Sequence, residues 1–322
     1  MELLPFPPAA WVRPLLWPLR RLQSACPELF TNLLHVLAAI ADPIISSLSA
    51  TGCATRMHPT ESAPPPPRLF LLRIRCLPAD VPGQSARWWS LKGRQPDPRK
   101  AILWLPGGAF VAHMFTAGVF TARLLPRLTG SVPHVLELRY KLPASPERTL
   151  QELREALSWL RAQGFEKVLL AGDSAGGYLA LQGLLAEDTP GAVAGMMLCP
   201  WLDLALSGKS HHSNAERCFL HPRWLEASRA QFLQGKALAS TWLEPSEKLR
   251  ARPAFLVCSQ GDALRDDTFL FAREAERQNL PLQLREVAGF HDSMLVPGFF
   301  DASHVQLFED LAAFTAEHLS DR

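Results

Sequence analysis

A serine stands among small residues at 172–177, which read Gly172-Asp173-Ser174-Ala175-Gly176-Gly177. The stretch before it, 167–171 (KVLLA), is short and apolar, as a buried strand is. The stretch after it, 175–186, has helical composition. A serine on a tight strand-to-helix turn holds its Oγ clear of the sheet, where it can attack a carbonyl carbon. Gly172 and Gly176 let that turn close without Cβ clashes. The helix N-terminus adds a field that favours a developing anion. Ser174 is the candidate nucleophile.

Acyl transfer to a serine needs three further groups. The first is a set of N–H donors for the oxyanion. Leu105-Pro106-Gly107-Gly108-Ala109-Phe110 follows an apolar strand at 101–105 (AILWL). Gly107 and Gly108 can turn their amides outward there, and the amide of Ala175 completes the expected hole. The second is an acid beyond a later strand end. Asp262 follows the strand at 254–258 and the turn residue Gly261; Asp266 is its competitor, although Asp266 and Asp267 also read as helix caps. The third is a base. Of ten histidines, His291 follows the last expected strand, where it can take the Ser174 proton while Asp262 orients its ring. Most of the others read as solvated loop residues. No H-E-x-x-H and no paired Cys/His spacing occurs, and His211-His212 project apart, so no metal and no cofactor are expected.

The elements that must position these groups alternate. An antiparallel pair is expected at 68–76 and 86–91. Strands are expected at 101–105, 134–138, 167–171, 193–199, 254–258 and 282–287. Helices are expected at 115–128, 149–163, 175–186, 268–277 and 305–318. Short apolar strands alternating with helices mean an α/β fold, with a mostly parallel sheet covered on both faces. Residues 205–250 break the rhythm and read as an insertion above the strand ends. Pro64 to Pro67 form an extended linker that divides a helical arm, 1–67, from a catalytic domain, 68–322.

The arm has an apolar face of Phe30, Leu33, Leu34, Leu37, Ala41, Ile44, Ile45 and Leu48. Asp42 and Pro43 in its middle argue against a membrane span, and the N-terminus lacks the basic region of a secretory signal. Forty-eight per cent of the 322 residues are hydrophobic and the formal net charge is +2, which gives no electrostatic footprint for nucleic acid. The six cysteines show no regular spacing, as expected of reduced thiols in the cytoplasm.

These motifs together resemble the hormone-sensitive-lipase branch of the α/β-hydrolases over about residues 99–320. Leu138-Arg139-Tyr140-Lys141-Leu142-Pro143 is similar to that family's Y-R-L-A-P-E segment. Cys199-Pro200-Trp201-Leu202-Asp203-Leu204 is similar to S-P-W-L-D-L, and 261–266 to its acid-bearing G-x-D-x-L-x-D loop. Gly289-Phe290-His291 matches the base segment. The family's H-G-G-G reads Pro106-Gly107-Gly108-Ala109, which loses a supporting histidine and the third glycine. The resemblance implies a helical cap built from the arm and the insertion over an acyl pocket.

The expected function is hydrolysis of small-molecule carboxylic esters, with apolar, short-to-medium acyl groups or acetylated lipids as substrates. An amidase or arylformamidase would use the same triad. A ligand receptor on a hydrolase scaffold is disfavoured because Ser174, Asp262 and His291 are all present. Residues 28–50 serve either the cap or a peripheral contact with a membrane surface. The oligomeric state is left open.

Overall fold

Why the apolar runs become strands is visible in how they are buried. In β3 (Lys100–Leu105) every residue is buried. Ala101, Leu103 and Leu105 enter one core cluster, and Ile102 and Trp104 enter the other. That is the two-residue period of a strand with protein on both sides. β5 (Lys167–Asp173) splits in the same way, Val168 and Leu170 from Leu169 and Ala171. The computed structural model describes Leu22 and residues 73–214, 217–236, 244–296 and 301–321. The apolar arm face and the polyproline linker therefore lie outside the described residues, apart from Leu22, which packs against the first core cluster.

Eight strands form one sheet: β1 (Ile74–Ala79), β2 (Ser85–Leu91), β3, β4 (His134–Arg139), β5, β6 (Ala192–Leu198), β7 (Ala254–Ser259) and β8 (Leu282–Val287). Their order is β1-β2-β4-β3-β5-β6-β7-β8. β1 and β2 are antiparallel to their neighbours; the pairs from β3 and β4 onward are parallel. The eight helices of the described residues are α1 (Thr116–Leu124), α2 (Pro146–Ala162), α3 (Ser174–Leu185), α4 (Ser210–Ser213), α5 (Pro222–Leu233), α6 (Lys248–Ala251), α7 (Arg265–Arg277) and α8 (Ala302–His318). α2, α3 and α7 contribute to the first cluster, and α1 and α8 to the second, so both faces of the sheet are covered.

Of the boundaries that differ from expectation, three have a clear local reason. β1 runs on to Ala79 because its turn lies later: Gln84 N–H donates to Val81 O at 3.1 Å, with Gly83 at φ 70°. The helix expected over 115–128 gives way to a 3₁₀ turn at Leu125–Arg127, where Pro126 has no N–H for the ladder. α2 starts three residues early because Pro146 suits the first helical position.

The insertion at 205–250 holds α4, α5 and α6 and, among its described residues, no strand. Its aromatic side chains anchor it to the sheet end. Phe232 of α5 stacks on Phe110 with ring centres 3.8 Å apart, and Phe110 stacks on Trp201 at 5.4 Å. Phe110 ends the glycine loop after β3, so the insertion grips that loop.

Candidate active site

The turn between β5 and α3 is as tight as its glycines suggest. Ser174 sits at φ 52°, a left-handed conformation that costs a non-glycine residue energy and marks a strained corner. A Cβ on Gly176 would lie 2.0 Å from Leu105 O, and one on Gly172 would lie 2.5 Å from Gly176 O. Both contacts are with backbone, so only glycine fits. The corner leaves Ser174 buried but bordering a cavity of about 260 Å³, which Gly108, Ala109, His291 and Asp292 also line.

His291 and Asp262 come together from two strand ends. His291 Nδ1 lies 2.9 and 3.0 Å from the two Asp262 carboxylate oxygens. Both residues are almost completely buried. The loops that carry them are strapped to each other: Gln260 N–H donates to Val287 O at 2.9 Å and Gly261 N–H to Gly289 O at 2.7 Å. Leu264 N–H donates to Asp262 Oδ1 at 2.9 Å. From the insertion, Asn214 Nδ2 donates to the carbonyls of Asp262 and Gln260, and Phe219 sets its ring edge-on to His291.

Asp266 does not approach His291 as Asp262 does. Its carboxylate accepts from Ser210 N–H at 2.9 Å, while its own N–H donates to Ser210 Oγ at 3.1 Å. Asp267 accepts from Asp203 N–H and lies 3.6 Å from His211 Nε2. Neither caps α7, whose N-cap residue is Leu264. They tie the segment 203–211 to the start of α7 instead. Burial pushes the Asp267 carboxyl up to about 6 against the pull of His211. His211 is itself buried, not solvated. His304 is buried too, its Nε2 3.1 Å from Ala288 O on the loop before His291.

The oxyanion loop corrects one expected donor. Gly107 N–H donates to Asp173 Oδ1 at 3.0 Å, so it is occupied inside the protein. Asp173 also accepts from Thr116 Oγ at 2.7 Å. Gly107 is thus a holding point for the loop, and a Cβ there would lie 2.5 Å from Asp173 Oδ2. Gly108 and Ala175 keep amides that make no hydrogen bond among the described residues, and so does Ala109. Ala109, at φ 52°, adopts the left-handed backbone that a glycine would take more readily. Tyr140 Oη donates to Pro106 O at 2.8 Å and fixes the start of the loop.

Two acids around the site carry no sequence signal beyond their adjacency to Ser174 and His291. Asp173 is buried, and burial together with the Asp292 charge pushes its carboxyl well up. Asp292 sits at φ 54° with Oδ2 3.0 Å from His291 Nε2. Burial raises its carboxyl against the opposing pull of His291. Burial alone would depress His291, but the Asp262 and Asp292 carboxylates outweigh it and push the imidazole well above the ordinary histidine value. Ser174 and His291 share no hydrogen bond here, since Nε2 is engaged by Asp292.

A strained serine at the β5–α3 corner of an eight-stranded, mostly parallel sheet, beside a His–Asp pair from later strand ends, is the arrangement of an α/β-hydrolase. The family model for the alpha/beta hydrolase fold matches residues 102–294. Esterase LipU of Mycobacterium tuberculosis is 30% identical over 232 residues, which cover 66% of this chain and 77% of that protein. An acetyl-hydrolase of Streptomyces hygroscopicus is 28% identical over 221 residues, covering 65% and 73%. A crystal structure of the esterase EstE5 with PMSF superposes with a TM-score of 0.66 at 19% identity, over 87% of this chain and 98% of that one. A hormone-sensitive lipase from a metagenome library superposes at 0.64 and 21% identity, over 91% and 99%. The chain belongs to the α/β-hydrolase family, and these relatives agree with the resemblance to hormone-sensitive-lipase-like esterases.

Proposed function

We propose that the chain hydrolyses carboxylic esters through an acyl-enzyme on Ser174. What carries the reading is the His291–Asp262 pair, 2.9 Å apart and buried, on the same cavity as the strained Ser174. In this reading His291 Nε2 turns from Asp292 to Ser174 Oγ when substrate enters, as catalytic hydrogen bonds that are loose in a free enzyme do. Ser174 Oγ attacks the ester carbonyl and its proton passes to Nε2. Asp262 holds the ring and steadies the imidazolium. The oxygen of the tetrahedral intermediate accepts from the amides of Gly108 and Ala175, with Ala109 as a third donor. Nε2–H then protonates the leaving alkoxide, and water, deprotonated by the same nitrogen, releases the acid.

The cavity favours a short apolar acyl group. At about 260 Å³ it lies just below the roughly 300–1,000 Å³ usual for drug-sized ligands. Phe115, Phe219, Leu220, Trp224, Leu225 and Leu295 supply an apolar wall. A fluorophosphonate should label Ser174, and p-nitrophenyl acetate or butyrate should be cleaved faster than long-chain esters or matched anilides. Labelling elsewhere, or cleavage of anilides in preference to esters, would refute the reading.

A further inference from the structure

We propose that Cys199, His291 and Asp292 form a site for zinc or a zinc-like divalent cation that switches the hydrolase off. The Cys199 Sγ, a His291 ring nitrogen and an Asp292 carboxylate oxygen lie within 4.8 Å of one another. Zinc bonds of about 2.0–2.3 Å need such donors about 3.5 Å apart, so modest side-chain adjustment closes them around an ion. The His291 Nε2–Asp292 Oδ2 separation is already 3.0 Å. A thiolate, an imidazole and a carboxylate together suit zinc, with a fourth position left open. Magnesium and calcium require a shell of oxygens, and this site does not supply one.

Several independent features converge here. Cys199 directly follows β6 and is fully buried, and its sulfur is a strong zinc ligand. The Cys199 Sγ makes one long contact, 3.5 Å, with Ser259 Oγ, so no short bond has to be broken for it to turn to an ion. Asp292 Oδ1 is buried with no hydrogen-bond partner. His291 and Asp292 both line the cavity beside Ser174, which gives an ion a route in.

The inhibitory effect rests on the reading of His291 as the base. A cation needs the lone pair of Nε2, and so does the Ser174 proton; only one can have it.

The test uses the full chain, freed of metal by a chelator. Zinc should inhibit p-nitrophenyl acetate hydrolysis, and EDTA should restore it; magnesium and calcium should have no effect. Cys199→Ser should keep its zinc-free activity and raise the half-inhibiting zinc concentration by at least about a hundredfold, the upper range for loss of a supporting partner alone. Cobalt(II) should give a thiolate charge-transfer band that Cys199→Ser loses and Cys76→Ser keeps. If Cys199→Ser fails to fold, Cys199→Ala carries the same comparison. Equal zinc sensitivity with and without the thiol would overturn the site, and so would a cobalt complex with no thiolate band. If no ester is hydrolysed, a Cys199-dependent cobalt band still upholds the site, while the function fails separately.

Discussion

Ser174 occupies a left-handed backbone position that it could leave only by unwinding the start of α3, so its side chain is placed by the corner itself. Ser174→Ala removes the proposed nucleophile with little change of shape. Turnover should fall by a factor of about a million while the unfolding midpoint stays put. A variant with a tenth of the original activity would show that another residue attacks. The two acids divide as their partners do. Asp262→Asn breaks the carboxylate that orients His291, and turnover should drop about 10⁴-fold. Asp266→Asn weakens a tie to Ser210 that holds the insertion, a loss of about 1 kcal/mol in stability with activity changed less than tenfold. The pH profile follows from the charges. Only neutral His291 can accept a proton, and two carboxylates favour its charged form, so activity should rise with pH through an ionisation above the ordinary histidine range. Asp292→Asn removes one of those charges and should move the rise to lower pH. An unmoved profile would mean that Asp292 does not act on the ring.

Among the elements, the β5–α3 corner admits least change. Gly176→Ala pushes a methyl group to 2.0 Å from Leu105 O and 2.7 Å from Pro106 C, backbone that cannot swing aside as a side chain would. It should cost at least about 3 kcal/mol, more than ordinary overpacking of a core. Gly83→Asn is the control. That turn also has positive φ, but it has open space around it and asparagine tolerates the conformation, so the cost should be about 1 kcal/mol or less. Urea midpoints for the two variants measure the difference; similar losses would mean that the corner relaxes. The same elements show what patterning conveys. Apolar runs at 101–105, 167–171 and 254–258 announced β3, β5 and β7, because a strand buried on both faces has little choice of residue. The edge strand β1 was displaced in the reading. It pairs on one side only, and Leu77 and Pro78 stand exposed in it.

At the scale of the molecule, the insertion stands over the cavity. Trp224 and Leu225 of α5 line it, and Phe232 of the same helix stacks on Phe110 beside the oxyanion loop. Trp224→Ala should enlarge the cavity and shift preference toward longer acyl chains. Each methylene newly buried contributes about 0.8 kcal/mol, so a few carbons could alter the kcat/KM ratio a hundredfold. A proportional loss on all esters would show that Trp224 supports the chemistry rather than the selection. Leu34→Asp, in the arm outside the described residues, should instead depress long esters more than acetate if the arm completes the cap. Unchanged selectivity with weakened binding to liposomes would make the arm a membrane contact.

Period, turn chemistry and position just past a strand end make the strand–helix alternation, the serine corner and the candidate acid and base legible in the chain alone. Asp262 was preferred to Asp266 on that last ground, and the geometry pairs Asp262 with His291. Local sequence lets the Gly107 amide turn outward as an oxyanion donor; whether that amide is free depends on what lies across from it. Asp173, 66 residues away, takes that amide, and no local signal announces it. Asp292 and Cys199 follow strands β8 and β6, and only the packing of the sheet brings their ligand atoms within 4.8 Å of each other and of the His291 ring. Local sequence sets local backbone, because its energies act between near neighbours. A buried hydrogen bond or ion pair between distant segments forms only where the fold brings them together and removes the water that would otherwise satisfy both partners.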